Sequence, residues 1–316
     1  MLINIIFCSF FICLILTNIL INIFSQHSVG QHILKEAPES HLAKEGTVTM
    51  GGLAIMVTII VALLVHTLTG NEMIDFKIVS VILVLTGFGL IGLIDDLSKV
   101  FKQKNKGLTA GVKLLLQIIL ASIFVGLLAA SNHYESSSPI LQYLPESIYY
   151  IFCIFLVVGA SNAVNLSDGL DGLAGGVLLI AFLGILYFAF MQSALNLIVI
   201  LLMIIGSLLG FLWFNINPAK IFMGDTGSLS LGSVLAAIAI LIHKELHLAI
   251  LGFIFVIEAL SVILQVSFFK LTKGKRIFRM APFHHHLELI GWTENKIVIR
   301  FWIISIIMVL ISIKIG

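Results

Sequence analysis

The chain has 316 residues, 59% of them hydrophobic and only 11% charged, with a net charge of +2 and a mean hydropathy of +1.14. Soluble domains carry about 25% charged residues, so this composition excludes a water-solvated globule and describes a chain embedded in lipid. No polar stretch is long enough for a separate soluble domain, and one polytopic unit over residues 1–316 is expected.

A bilayer core takes roughly 20 apolar residues per helix. Ten apolar segments fit that requirement, near 3–24, 51–69, 77–94, 113–131, 147–163, 173–191, 194–213, 228–243, 248–269 and 297–315. The fold class expected is an all-α integral membrane protein of about ten transmembrane helices. The first segment lacks the basic flank and small-residue cleavage site of a signal peptide, so it reads as a membrane helix. The sixth and seventh segments form a nearly continuous apolar run, split at Met191-Gln192-Ser193. Cys8, Cys13 and Cys153 all lie in apolar runs without metal-ligand spacing and read as small hydrophobes.

Charge sets the orientation. Fifteen of the 18 Lys and Arg residues fall in or beside alternate loops, 25–50, 95–113, 164–172, 214–227 and 270–296. Lys77, Lys244 and Lys314 lie on the other side. The positive-inside rule makes the basic loops cytoplasmic and places both termini outside, in agreement with an even number of spans.

Five of the six aspartates stand at the cytoplasmic ends of these segments. Ionisable groups near membrane depth are costly, so a functional role is the first reading. A bland one, helix capping or loop solvation, is open to any single aspartate but poorly explains five on one face. In chain order, Asp95-Asp96 comes first, followed by Lys99, Lys102, Lys104, Lys106 and Lys113. Adjacent carboxylates repel unless a cation sits nearby, and Mg²⁺ with phosphate oxygens resolves that repulsion. The lysines suit either anionic lipid headgroups or a diphosphate.

Next, Asn162, Asn165, Asp168 and Asp171 recur every three residues, a polar stripe on a helical segment or else an Asx-rich turn. The third segment runs from Asn215 through Phe222, Gly224 and Asp225 to Ser228. Asp225 is expected just before the next span, where a helix N-terminus can meet phosphate or Asp225 can serve as a cap. The fourth, His284-His285-His286 after Arg279, lies in a strongly basic loop. Consecutive histidines cannot all face one way on a helix, so acid–base or phosphate-binding work is favoured over zinc.

These segments carry a resemblance. Pro38-Glu-Ser-His41 with Lys44-Glu-Gly-Thr-Val-Thr49-Met-Gly-Gly52, the Asp95-Asp96 pair, and Asn162-Ala-Val-Asn165-Leu-Ser-Asp168-Gly-Leu-Asp171-Gly form its first half. Phe222-Met-Gly-Asp225-Thr-Gly-Ser228, Glu258-Ala-Leu-Ser-Val-Ile-Leu-Gln265 and Ala281-Pro-Phe-His284-His-His286 complete it. Over nearly the whole chain the sequence resembles the phospho-N-acetylmuramoyl-pentapeptide transferases, within the polyprenyl-phosphate N-acetylhexosamine-1-phosphate transferases (glycosyltransferase family 4). The Ala-Pro-x-His-His-His segment is the more specific mark of that branch.

The resemblance implies a single transferase domain in the bacterial cytoplasmic (inner) membrane. It implies transfer of phospho-N-acetylmuramoyl-pentapeptide from UDP-MurNAc-pentapeptide to undecaprenyl phosphate. The products are lipid I and UMP, in the first membrane step of peptidoglycan synthesis. It further implies Mg²⁺ as cofactor, the lipid bilayer as environment, no nucleic-acid partner, and a homodimer as an accessible assembly. Carried over by motif, Asp225 is the expected metal ligand, with Asp95 and Asp96 beside it; Asp95 is the candidate base or nucleophile. His284 joins these as a catalytic candidate at the outer edge of the site, next to His285 and His286. Asn165, Asp168 and Asp171 correspond to nucleotide-binding positions. Lys44, Thr49, Lys99, Lys113, Asn162, Asn215, Phe222, Gly224, Ser228 and Gln265 match further cleft positions.

The sequence departs from the family pattern at Val48, Ser167 and Gly111, none at the proposed chemistry. Two alternatives stay open at this point. A sister transferase loading another UDP-N-acetylhexosamine would share the aspartates. A transporter with broken helices would place carboxylates at mid-membrane, where Glu258 alone qualifies.

Overall fold

The computed structural model describes residues 2–26, 46–69, 74–102, 107–132 and 141–316. Lys44 and the Pro38–His41 motif therefore lie outside the described residues. Among those described, twelve α-helices account for most of the chain, with one isolated parallel bridge between Val48 and Ile221. They are α1 Leu2–Gln26, α2 Gly52–Leu68, α3 Phe76–Lys102, α4 Ala110–Ala130, α5 Glu146–Ser167 and α6 Leu173–Met191. Then follow α7 Leu195–Asn215, α8 Gly224–Leu241, α9 Glu245–Leu251, α10 Phe253–Leu271, α11 Phe283–Leu289 and α12 Glu294–Ile315. Nine are long and apolar enough to cross a bilayer, and α2 is a shorter apolar helix of 17 residues. Together these ten coincide with the ten expected segments. In lipid, helices of this kind satisfy their backbone polar groups internally.

Three boundaries differ from the sequence expectation, each for a physical reason. Helix α3 continues past residue 94 to Lys102, because its charged turns find partners on other helices (below). Helix α8 begins at Gly224 rather than 228, so Asp225 sits inside its first turn. Helix α5 ends at Ser167, so Asn162 and Asn165 share its surface while Asp168 and Asp171 lie beyond it. The polar stripe of four is thus two residues on a helix and two on a loop.

The ninth expected segment is broken at Gly252, which ends α9 and opens α10. The split of the long apolar run is where Gln192 and Ser193 predicted it. Ser193 adopts φ 54°, and the Gln192 side-chain amide donates to the Ile242 carbonyl (2.7 Å).

Helix α8 is the centre of the bundle, packed against α3 and α5 and flanked by α2 and α6. Its sequence is rich in Gly, Ser and Ala, and its hydroxyls turn back onto their own helix, as in Ser230 to the Thr226 carbonyl (2.8 Å). Small faces permit the close backbone approach that helix association in lipid requires. One close approach bears on the site: a Cβ at Gly92 of α3 would stand 2.2 Å from the Asp225 carbonyl oxygen. Only a glycine allows α3 and α8 to meet there.

Replacing Gly92 by Ala is expected to wedge the two helices apart at a cost of about 1–3 kcal/mol. It should lower the detergent-solubilised melting temperature and reduce activity further than the same loss of stability at a lipid-facing position.

Candidate active site

Asp95 and Asp96 occupy consecutive positions on a helix, so they point about 100° apart. The consequence is a division of labour. Asp96 is buried against α8, where Oδ1 accepts the Asp225 N–H (3.2 Å) and Oδ2 accepts both the Thr226 N–H (3.0 Å) and its hydroxyl (2.7 Å). These donors are among the free N–H groups of the first turn of α8. Asp96 thus caps one helix from the side of another.

Asp95 turns the other way. Its Oδ1 accepts the Leu108 N–H (2.7 Å), drawing the segment before α4 across the site. Its Oδ2 faces the ammonium groups of Lys99 (2.8 Å) and Lys113 (3.3 Å). Lys99 follows Asp95 by four residues, a spacing that stacks side chains on one helix face; Lys113 comes from the first turn of α4. Both lysines also reach Asp225 Oδ2, at 3.1 and 2.5 Å.

Asp225 is oriented from its other oxygen. Asn165 donates to Asp225 Oδ1 (2.7 Å) and to the Ser228 hydroxyl (2.9 Å). That hydroxyl in turn donates to the Gly224 carbonyl (2.8 Å). Asn162, one turn earlier, donates to Gln117 of α4 (2.7 Å).

These groups border a cavity of about 560 Å³ lined by Asp95, Lys99, Lys113, Asn162, Asn165 and Asp225, among others. Asp95, Asp96 and Asp225 can each offer an oxygen with those atoms within 4.8 Å of one another. Hard oxygen donors of this kind suit Mg²⁺. Asp96 is engaged by donors that belong to the fold, whereas the lysine ammonium groups on Asp95 and Asp225 are mobile and a cation can take their place. Three carboxylates and two ammonium groups sum to a formal charge of −1, so a divalent cation would turn the pocket positive.

Asp168, on the loop after α5, is held near this cluster. Removal from water pushes its carboxyl up to about 7, and the Asp225 and Asp96 carboxylates add to the rise, against a hydrogen bond from the Gly224 backbone. A cation between those carboxylates would oppose that effect.

Other residues singled out in the sequence hold the walls. Asp171 Oδ2 accepts the Asn217 amide (2.9 Å) and the Ala219 N–H (3.0 Å). Asn215 accepts the Gly172 N–H (3.2 Å) and donates to the Ile221 carbonyl (2.8 Å). Both tie the loop after α5 to the loop after α7. Phe222 bonds through its backbone to Val48 and Gly51 (2.8 Å each), while the Thr49 hydroxyl lies beside Gly224.

Gln265 clasps the basic loop, accepting the Ile277 and Phe278 N–H groups and donating to the Phe278 carbonyl, each at 3.0 Å. The three histidines diverge, as consecutive helical residues must. His286 accepts the Arg279 N–H (3.2 Å), His285 pairs with Glu288 (2.7 Å), and buried His284 pairs with Glu258 (3.1 Å).

Sequence reasoning passed over Gln117, Thr226, Asn217 and Glu294, which receives the Asp171 N–H (2.6 Å). Of these, Asn217 and Thr226 lay inside the polar segment already singled out, and Gln117 carried a signal as a lone amide in an apolar run.

A model of glycosyl transferase family 4 matches residues 78–243, which hold all five site aspartates. The phospho-N-acetylmuramoyl-pentapeptide-transferase of Staphylococcus saprophyticus is 46% identical over 311 residues, covering 96% of each chain. That of Bacillus subtilis is 45% identical over 312 residues, covering 97% of this chain and 95% of its own. That of Thermodesulfovibrio yellowstonii is 45% identical over 327 residues, covering 96% and 89%. The chain belongs to glycosyl transferase family 4 and, within it, to the phospho-N-acetylmuramoyl-pentapeptide-transferases.

Lys113 competes for the same Asp225 oxygen that a cation would use. Lys113→Met should therefore tighten Mn²⁺ binding by about tenfold, given the size of a unit-charge interaction at this range. Titration of the apo protein followed by Mn²⁺ paramagnetic resonance measures it, and weaker binding would rule out the competition.

Proposed function

We propose that this protein transfers phospho-N-acetylmuramoyl-pentapeptide from UDP-MurNAc-pentapeptide to undecaprenyl phosphate, releasing UMP and forming lipid I, as a multi-pass protein of the bacterial cytoplasmic membrane. The observation that carries the reading is the cluster of Asp95, Asp225, Lys99 and Lys113 around one cavity at the helix ends. A membrane-anchored acceptor phosphate can reach such a level while a nucleotide sugar arrives from water. The basic loops support a cytoplasmic position for that level, with both termini outside.

Asp225 and Asp95 would hold the metal, with the remaining acceptor position of Asp96 Oδ1 beside them. Mg²⁺, when bound, supplies Lewis-acid neutralisation of the diphosphate. Lys99 and Lys113 add positive charge where the bridging oxygen takes up electrons. An oxygen of the lipid phosphate forms the new bond to the β-phosphorus as the bond to the UMP oxygen breaks. Asp95 either takes the acceptor's proton in that one-step exchange, or first attacks the β-phosphorus itself, with UMP leaving, to form an acyl phosphate. From that acyl phosphate the lipid phosphate then displaces the Asp95 carboxylate. Inversion at the β-phosphorus identifies the first route; a trapped phospho-Asp95 identifies the second. Asn165 and Ser228 orient Asp225, and Asp168 faces the nucleotide side.

The transporter alternative loses its support, because Glu258 is paired with His284 rather than free in mid-span.

Purified protein should form a lipid-linked sugar and UMP from UDP-MurNAc-pentapeptide and undecaprenyl phosphate only with Mg²⁺, and lose turnover on chelation. Asp225→Ala should lower kcat by about a thousandfold or more, on the scale of lost metal or oxyanion stabilisation. Undiminished turnover in that variant overturns the metal assignment, and transfer from UDP-GlcNAc alone overturns the substrate.

A further inference from the structure

Glu258 lies within the membrane-spanning helix α10 and is fully buried, as is His284. A carboxylate at that depth is costly unless partnered. Its side chain finds those partners in a single residue. The His284 backbone N–H points at both carboxylate oxygens (3.2 and 3.4 Å), and the ring Nδ1 lies 3.1 Å from Oε2. A carboxylate can only accept here, so Nδ1 carries the hydrogen. The hydrogen bond made by one ring nitrogen sets the role of the other. Nε2 is therefore left with a lone pair in the neutral ring.

That lone pair has no partner. Nε2 is buried and unbonded among the described residues, and buried polar atoms in that condition ask for an explanation. It points at Gly169, where a Cβ would stand 2.5 Å away. A side chain at 169 would collide with Nε2; glycine lets the loop after α5 lie against it. Gly169 follows Asp168, whose carboxyl is bonded from Gly224 beside the carboxylate cluster. The orphan nitrogen therefore faces the loop that carries Asp168.

We propose that Glu258 is a positioning residue: it fixes His284 with hydrogen on Nδ1, so that Nε2 accepts a hydrogen bond from an N–H or hydroxyl of the bound nucleotide-sugar donor beside Gly169. This assignment rests on the transfer reading above. It gives Glu258 no contact with substrate, and all of its effect passes through the imidazole.

The test compares Glu258→Leu, His284→Ala and the double variant with the unsubstituted protein, all in the presence of Mg²⁺. Glu258→Leu should raise KM for UDP-MurNAc-pentapeptide about tenfold and leave KM for undecaprenyl phosphate unchanged. In the His284→Ala background it should cost no further activity, because residues that act as one unit are non-additive. Ring ¹⁵N shifts of selectively labelled His284 should report hydrogen on Nδ1 in the unsubstituted protein and a shift toward Nε2 in Glu258→Leu. Additive losses, or equal rises in both KM values, would assign Glu258 to packing and overturn the proposal. So would an unchanged tautomer. Should Glu258→Leu fail to fold, Glu258→Met, close in length and without an oxygen acceptor, is read by the same two KM values and the same ring shifts. Failure of the unsubstituted protein to transfer the sugar phosphate at all would instead overturn the transfer reading.

Discussion

Two carboxylate oxygens on α3 hold the start of α8, and the rest of the site depends on that contact. Asp96 receives the backbone N–H groups of Asp225 and Thr226 and the Thr226 hydroxyl. It therefore fixes not only where α8 begins but which way Asp225 leaves the helix. Hydrogen bonds from main-chain donors to a charged acceptor are among the stronger ones a protein makes, and this one lies at the crossing that Gly92 permits. Once α3 and α8 are locked, Lys99 reaches both Asp95 and Asp225 from its own helix. Only α4 is then needed to bring Lys113.

The two halves of the Asp95-Asp96 pair illustrate why like charges can be neighbours in a membrane protein. Helical geometry separates them, and each is compensated by different chemistry. Asp96 is met by backbone dipoles and a hydroxyl, Asp95 by an amide and two ammonium groups. The first compensation is permanent because its donors belong to the fold. The second is exchangeable, because lysine side chains can move and a metal can take their place.

Much of this was legible in the sequence. Hydropathy located the nine helices long enough to span and the shorter apolar α2, since a bilayer sets their length and lipid sets their composition. Loop charge grouped Asp95, Asp96, Asp168, Asp171 and Asp225 on one face. The helix ends were less legible, because hydropathy stops at the first charge while the helix does not. Helix α3 runs eight residues beyond the expected end at 94, carried by an ion pair and hydrogen bonds to residues more than a hundred positions away. Partners at such separations leave no local trace. Glu258 is 26 residues from His284, and Asp171 is 123 from Glu294. Without those partners the sequence could not show that the Asp171 side chain ties one loop to another. Gly252 was likewise invisible as a break, since an apolar run reads the same whether one helix or two pass through it.

The burial of α8 has a bearing on how the protein meets its surroundings. In its most apolar 18-residue window, 89% of the residues are buried inside the protein, against 17% for α1 and 22% for α10. The helix that carries Asp225 is thus almost a stranger to lipid. Swapping bilayer for detergent, or a thick membrane for a thin one, changes the solvent of the outer helices and leaves that of the innermost helix nearly as it was. Hydrophobic mismatch is taken up by the tilt of the rim, while the inner helix keeps its depth by reference to its neighbours.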